Sequence, residues 1–265
     1  TAFSVASCAV SLDDGLAVSA GALNALRREA LSQMETLRTA VPARRAFGFV
    51  PPEKIKNSAD KPLLTVSIHK AEQLSEALVS LAPVRVYLPV ELLPRLDLAP
   101  YRGRTEFFAL LPRIYRTQDE PILRALIEDG VKKGVTGVSI ANLGHLSLVR
   151  DLPVTLHGDW ALNVYNSAAL AFWKKEGLAS ACVSFELRDA QLRDLSKCLP
   201  CEAIVYGRLP LMITENCLNA NESGCRYFKD RPASVPCDGA CATAPELTDR
   251  RGERFPVLRA WGCRS

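Results

Sequence analysis

Between Glu106 and Ala141 the chain reads Glu106-Phe107-Phe108-Ala109-Leu110-Leu111, then a helical pattern from Glu120 to Lys133, then Gly137-Val138-Ser139-Ile140-Ala141. The middle stretch places Ile122, Leu123, Leu126 and Ile127 on one face of an α-helix. Two apolar runs joined by such a helix pair in parallel, through a right-handed crossover.

The same unit repeats outward in both directions. Further apolar runs are Leu63–Ile68, Val84–Leu88, Val154–His157, Ala181–Phe185 and Ala203–Tyr206. Helical patterns at Ala71–Leu81, Ser167–Glu176 and Arg188–Cys198 lie between runs. The runs read as apolar without alternation, the pattern of strands covered on both faces. Seven such runs predict an α/β fold, a closed or nearly closed TIM-barrel-like (β/α) domain. A doubly wound open sheet is the rival, but no Gly-rich dinucleotide fingerprint follows the first run.

The barrel-like domain is expected over residues 61–212. Before it, residues 1–60 form a helical segment and linker. Leu23, Leu26, Ala30, Met34 and Leu37 make one apolar stripe, and Pro42 ends the helix. After it, residues 213–265 form a Cys-rich loop region. The 265 residues are 48% hydrophobic and 23% charged, which excludes a disordered chain or a disulfide-dense miniprotein. No apolar run is long enough to span a bilayer, so no membrane partner is expected. The net charge of +4 permits a nucleic-acid partner without arguing for one. Val5-Ala6-Ser7-Cys8 lacks the basic start and apolar core of a lipoprotein signal, and the expected location is cytoplasmic. The start at Thr1 and the stop at Ser265 suggest a piece of a longer protein.

In a barrel the chemistry sits at the carboxyl ends of the strands. That geometry selects His69, Glu91, Arg113, Asn142, His157, Asp159, Asn163, Glu186, Tyr206 and Arg208. Taken alone, each reads first as an ordinary polar rim residue or a helix cap. The densest polar cluster runs from His157 to Ser167, where Asp159, Asn163 and Asn166 can converge on one ligand. Alternatively, Asn166 or Ser167 caps the next helix, with Ser167 the favoured cap. There is no His-Glu-x-x-His helix, no G-x-S-x-G elbow and no phosphate-binding loop. Of the three histidines, His145 falls early in a predicted helix and reads as ordinary.

The nine cysteines are uneven. Cys182 reads as a small buried hydrophobe. Cys198-Leu199-Pro200-Cys201 has redox-dithiol spacing, but it ends a helix and opens a strand, the reverse of the thioredoxin order. Cys217, Cys225, Cys237, Cys241 and Cys263 lie in a loop-rich segment with little apolar surface to order itself. Without a secretory signal, metal ligation is favoured over disulfides. Uneven spacing suits an iron–sulfur cubane first and zinc second, with disulfides still open.

The run Ala203-Ile204-Val205-Tyr206-Gly207-Arg208-Leu209-Pro210-Leu211-Met212-Ile213-Thr214-Glu215-Asn216-Cys217 resembles the signature of the collagenase-like peptidase family U32. So do Leu247-Thr248-Asp249-Arg250-Arg251-Gly252-Glu253-Arg254-Phe255-Pro256-Val257 with Cys263-Arg264, Asp159-Trp160 through Asn163 and Asn166, and Ser184-Phe185-Glu186-Leu187. Phe185 departs from the small or polar residue usual there. Leu23 to Ala30 resembles the stretch that joins the middle domain of long members to their carboxy-terminal half. The resemblance implies a barrel-like fold, the missing amino-terminal half as a partner, and a 4Fe–4S cluster on Cys217, Cys237, Cys241 and Cys263, with Cys225 in reserve.

For function the resemblance implies two chemistries. Protease activity gave the family its name. Other members hydroxylate RNA bases or quinone precursors without oxygen, and long members are similar to the enzyme that makes 5-hydroxycytidine in ribosomal RNA. A soft-metal site without a recognisable proteolytic apparatus favours hydroxylation, because hydrolysis has no use for electrons. Asp159, Asn163, Asn166 and Glu186 are then the expected catalytic residues, and Arg113, His157, Tyr206 and Arg208 the substrate-binding ones. A peptidase using Glu186 or Asp159 to activate water is the alternative. A non-catalytic binding half with a structural cluster or zinc is the third.

Overall fold

The computed structural model describes residues 3, 5–46, 48–58, 61–214, 216–218, 246–258 and 261. Cys225, Cys237, Cys241 and Cys263 lie outside the described residues. The chain divides into two units, Thr1–Val50 and Pro51–Ser265.

The first unit contains helix α1, Ala20–Thr39. Ser19 caps it by accepting from the Ala22 amide at 3.1 Å. No residue of α1 is buried, and its apolar stripe is exposed at Leu23, Leu26 and Leu37.

The second unit is the curled sheet. Its elements run β1 (Thr65–Ser67), α2 (Glu76–Ser80), β2 (Arg85–Pro89), β3 (Glu106–Leu110), α3 (Glu120–Lys133), β4 (Val135–Ile140), α4 (Gly144–Val149), β5 (Thr155–Gly158), α5 (Ser167–Lys175), β6 (Ser180–Cys182), α6 (Asp189–Asp194) and β7 (Cys201–Glu202). The seven strands pair in chain order, and every pairing is parallel. A small antiparallel hairpin follows, β8 (Glu246–Thr248) and β9 (Arg254–Pro256). Asp249 shapes its turn by accepting from the amides of Arg251 and Glu253.

Helix α3 shows why the local sequence folds as it does. Glu120 and Pro121 suit its first turn, Lys132 and Lys133 its last, and Gly134 caps it at φ 115°. Its buried face is Leu123, Ile127 and Gly130. A Cβ on Gly130 would lie 2.7 Å from Leu93, so the glycine sets the close approach of α3 to the short helical turn Val90–Arg95.

Alternate residues of each strand do different work. Val86, Leu88, Phe107, Ala109, Val138, Ile140, Ala181 and Val183 join Leu123, Ile127, Leu146 and Leu170 of the helices in one apolar cluster. The intervening residues meet one another across the sheet. Tyr87 on β2 donates to Glu202 on β7 at 2.7 Å, and Arg85 on β2 donates to Ser180 on β6 at 3.1 Å. Glu202 also hydrogen-bonds Thr65 of β1. Strands so far apart in sheet order touch only because the sheet curls into a half-barrel.

Two expectations are corrected. The strands alternate after all, since their second face is polar rather than helix-covered. The run Ala203–Tyr206 is not a strand. The last strand is Cys201–Glu202, and Val205 and Tyr206 are exposed beyond it. No backbone pairing between β7 and β1 is present among the described residues, so the sheet is curled rather than closed.

Candidate active site at the strand ends

The loops after β3 and β4 enclose an open cleft of about 370 Å³, lined by Arg113, Ile114, Tyr115, Thr117, Glu120, Asn142 and Gly144. His145 ties its two sides together. Its Nδ1 accepts from the Ala141 amide at 2.9 Å, and the ring also hydrogen-bonds the Pro112 backbone. An Nδ1 that accepts is unprotonated, so the Pro112 carbonyl takes the hydrogen on Nε2 and the ring is neutral. Burial pushes its pKa down to about 4. Tyr115 stacks on this ring at 5.0 Å, and Asn142 donates to the Arg113 carbonyl at 3.0 Å. Gly144 leaves room for the Tyr115 hydroxyl, which would be 3.0 Å from an added Cβ.

Beside the cleft, β5 ends and delivers Asp159. Its amide donates to the Ile140 carbonyl at 2.8 Å, which extends the β4–β5 pairing by one residue. Burial raises the Asp159 carboxyl to about 6, against the opposing pull of the Trp160 amide and of Arg113. The Arg113 guanidinium lies over the Trp160 ring at 4.6 Å, and Trp160 packs on Phe185 at 5.6 Å. A cation, an indole and a phenyl ring thus line up next to a carboxyl group that is protonated in part near neutrality.

A second polar group fills the inner face of the sheet. Arg85 donates to Glu106, to the Tyr87 hydroxyl and to Ser180, and its guanidinium lies over the Phe108 ring at 3.9 Å. A guanidinium only donates, so Ser180 accepts from it, and the same hydroxyl hydrogen-bonds His157 Nδ1, 2.8 Å away. Burial with the Arg85 charge holds the His157 pKa down to about 3, so the ring is neutral. Burial raises the Glu202 carboxyl, and the Tyr87 and Thr65 hydrogen bonds oppose that rise. Gly137 makes this lattice possible. A Cβ there would lie 2.3 Å from the Phe108 ring.

Of the residues singled out from sequence, the fold brings Arg113, Asn142 and Asp159 together. Asn163 is exposed with φ 48° and ends the turn Trp160–Leu162. Asn166 caps α5 by accepting from Ala169 at 2.9 Å, whereas Ser167 accepts from the Ser196 amide. The cap is thus Asn166, not the favoured Ser167. Glu186 is exposed next to Phe185. His157, one residue before the end of β5, is buried in the inner lattice rather than open to the cleft. His69, Tyr206 and Arg208 are exposed, and Tyr206 and Arg208 lie past the end of β7. The sequence assigns no site role to Trp160, Phe185 or Tyr115, and His145 reads there as ordinary. Apolar and aromatic residues in a loop carry no periodic signal, and a structural histidine looks like any other.

For a metal, the described part of the donor set is Cys217, which is buried at 5% exposure. Among the described residues no three His, Cys, Asp or Glu side chains gather as a metal site. No helix of the described residues is long and apolar enough to cross a membrane.

A family model described as Peptidase family U32 matches residues 96–246, more than half of the chain. No curated protein matches it.

Proposed function

Since the chain belongs to peptidase family U32, we propose that it is the site-bearing half of an iron–sulfur-dependent RNA base hydroxylase acting on ribosomal RNA cytidine. The observation that carries this reading is the Arg113–Trp160–Phe185 stack beside Asp159. A planar base unstacked from RNA matches an aromatic platform of this kind, and stacking contributes about 1–3 kcal/mol per base. Arg113 suits a phosphate or carboxylate that accompanies the base. Asp159, half in its acid form near pH 6, can hold or release a proton at its carboxyl oxygen. Asn163 and Glu186 stand exposed at the same strand ends.

The cluster would be held by Cys217, Cys237, Cys241 and Cys263, with Cys225 in reserve. The burial of Cys217 fits a thiolate donor sheltered from solvent. When bound, the cluster supplies electron transfer. Zinc on the same thiols is the alternative, and iron, sulfide and zinc analysis of anaerobically purified protein separates the two. The missing amino-terminal half of a longer protein would complete the RNA-binding surface.

The direct test is the nucleoside profile of ribosomal RNA from cells lacking the gene. Loss of a hydroxylated cytidine, restored by the wild-type gene but not by Trp160→Ala, is expected. An unchanged profile overturns the reading.

Asp159 also favours a second reading, peptide hydrolysis, because a carboxyl titrating near 6 is tuned to activate water. Anaerobically prepared protein would then cleave gelatin and lose that activity on Asp159→Asn. No cleavage removes this reading.

A further inference from the structure

The loop that joins α6 to β7 is pinned at nearly every residue except two. Ser196 donates to the Glu53 carbonyl at 2.6 Å and accepts, through its own hydroxyl, from the Ile55 amide at 3.0 Å. The Lys197 amide donates to the Ile55 carbonyl at 2.7 Å. Leu199 is 3% exposed within the apolar cluster, and the Pro200 carbonyl accepts from Ala181 at 3.0 Å. The side chains that this anchoring leaves unused are those of Cys198, which rests partly buried against the apolar cluster, and Cys201, which opens β7 opposite Ala181. Both are free thiols, the first partly buried and the second exposed.

The backbone bends at Cys198 and Leu199, between the two thiols. The Cys201 thiol donates back into this bend, to the Leu199 carbonyl at 3.3 Å. Burial raises the Cys201 thiol above its usual range, Lys197 opposes that rise and Cys198 adds to it. Two cysteines three residues apart in a bent loop are within the ordinary reach of a disulfide. Cys182 is the nearest competitor by charge, but it is 3% exposed and its thiol points to the Val183 carbonyl. Two thiols are too few for a metal site, and among the described residues no third ligand joins them.

We propose that Cys198 and Cys201 form a reversible intramolecular disulfide, a redox modification site separate from the strand-end cleft. The oxidant is a small-molecule disulfide such as oxidised glutathione. The Cys201 thiolate attacks one glutathione sulfur and expels the other as a thiolate. The Cys198 thiolate then attacks the Cys201 sulfur and expels the second glutathione. Two protein thiols lose two electrons and two protons, and one glutathione disulfide becomes two glutathione thiols. The product ties the loop after α6 to the first residue of β7, directly before Glu202. The proposal holds whichever substrate the cleft accepts.

The sequence provides a clean readout. Trypsin cuts after Lys197 and after Arg208, so Cys198 and Cys201 share one peptide that contains no other cysteine. The full chain is equilibrated with oxidised and reduced glutathione at several ratios, acid-quenched, alkylated and digested. In oxidising mixtures this peptide should resist alkylation and be about 2 Da lighter, and a thiol reductant should reverse both changes. In Cys198→Ser the resolving thiol is absent, and Cys201 should accumulate as the glutathione mixed disulfide. Full alkylation of both cysteines at every ratio overturns the proposal. So does a cross-link between this peptide and the one that carries Cys182. Because the wild-type chain alone decides, a variant that fails to fold leaves the result intact.

Discussion

On the outer face of the curled sheet, Val86, Phe107, Val138 and Ala181 join Leu123, Leu146 and Leu170 of α3, α4 and α5 in one apolar cluster. On the inner face the same strands present Arg85, Tyr87, His157, Ser180 and Glu202, tied to one another by named donors and acceptors. The outer face is non-directional. It stabilises by area removed from water and tolerates swaps of similar volume. The inner face is directional. Each group there depends on its partner, and a missing partner leaves a buried polar atom unsatisfied. Stability is therefore set mainly outside the sheet, and the curl that shapes the cleft is specified inside it.

Five measurements break or sharpen this contrast, from the largest effect to the smallest. Leu123→Ala removes a fully buried outer side chain and should lower stability by about 2–5 kcal/mol, read from the urea midpoint. A loss under about 1 kcal/mol would show that the outer layer collapses around the gap. Inside, Gly137→Ala drives a methyl into the Phe108 ring and should cost about 1–3 kcal/mol. Tyr87→Phe should cost about as much, about 1–3 kcal/mol, by removing the hydroxyl that donates to Glu202.

The fourth measurement is the pH dependence of the same urea midpoint. His145 and His157 titrate near 6.5 in the unfolded chain but only near 4 and 3 in the fold. Between those values the unfolded chain binds more protons, so stability is fully present above about 6.5 and declines as pH falls toward 3. Asp159 works in the opposite sense. Its folded value of about 6 exceeds 3.8, so it favours the fold at low pH and disfavours it as pH rises through that window. Glu202, also raised by burial, acts in the same sense as Asp159, and the two deeply lowered histidines outweigh them to give a net loss on acidification. A flat midpoint from pH 7 to 4 would contradict the neutral, buried rings. The smallest effect on the fold belongs to the cleft. Arg113→Gln should change stability by under about 0.5 kcal/mol. It should reduce RNA modification by about tenfold or more in a turnover assay, as expected for loss of a charge-assisted contact.

The contrast also explains what could be read from the sequence. Helix α3 was legible to the residue, because apolar spacing, a proline near its start and a glycine at its end all agree. Strand β3 was nearly so. The alternation was missed because Tyr87, Phe108 and Gly137 count as apolar or neutral letters while they serve the polar side. Ala203–Tyr206 has the letters of a strand but no neighbour to pair with, and pairing is not written in the strand itself. At the cleft, the charged and amide residues Arg113, Asn142 and Asp159 stood out. The rings that frame them did not, since their role exists only when two loops distant in sequence meet.

Strand β7 is two residues long. Cys201 faces solvent and Glu202 faces Tyr87, so this final strand has one residue for each side and none to spare. Longer strands repeat their alternation several times and can absorb an error in one position. Here a slip of a single step exchanges a thiol for a carboxylate in the interior and turns the anchoring acid out to water. The registration of the whole last quarter of the barrel thus depends on one peptide bond, and deletion or insertion between these neighbours should be the least tolerated length change in the domain.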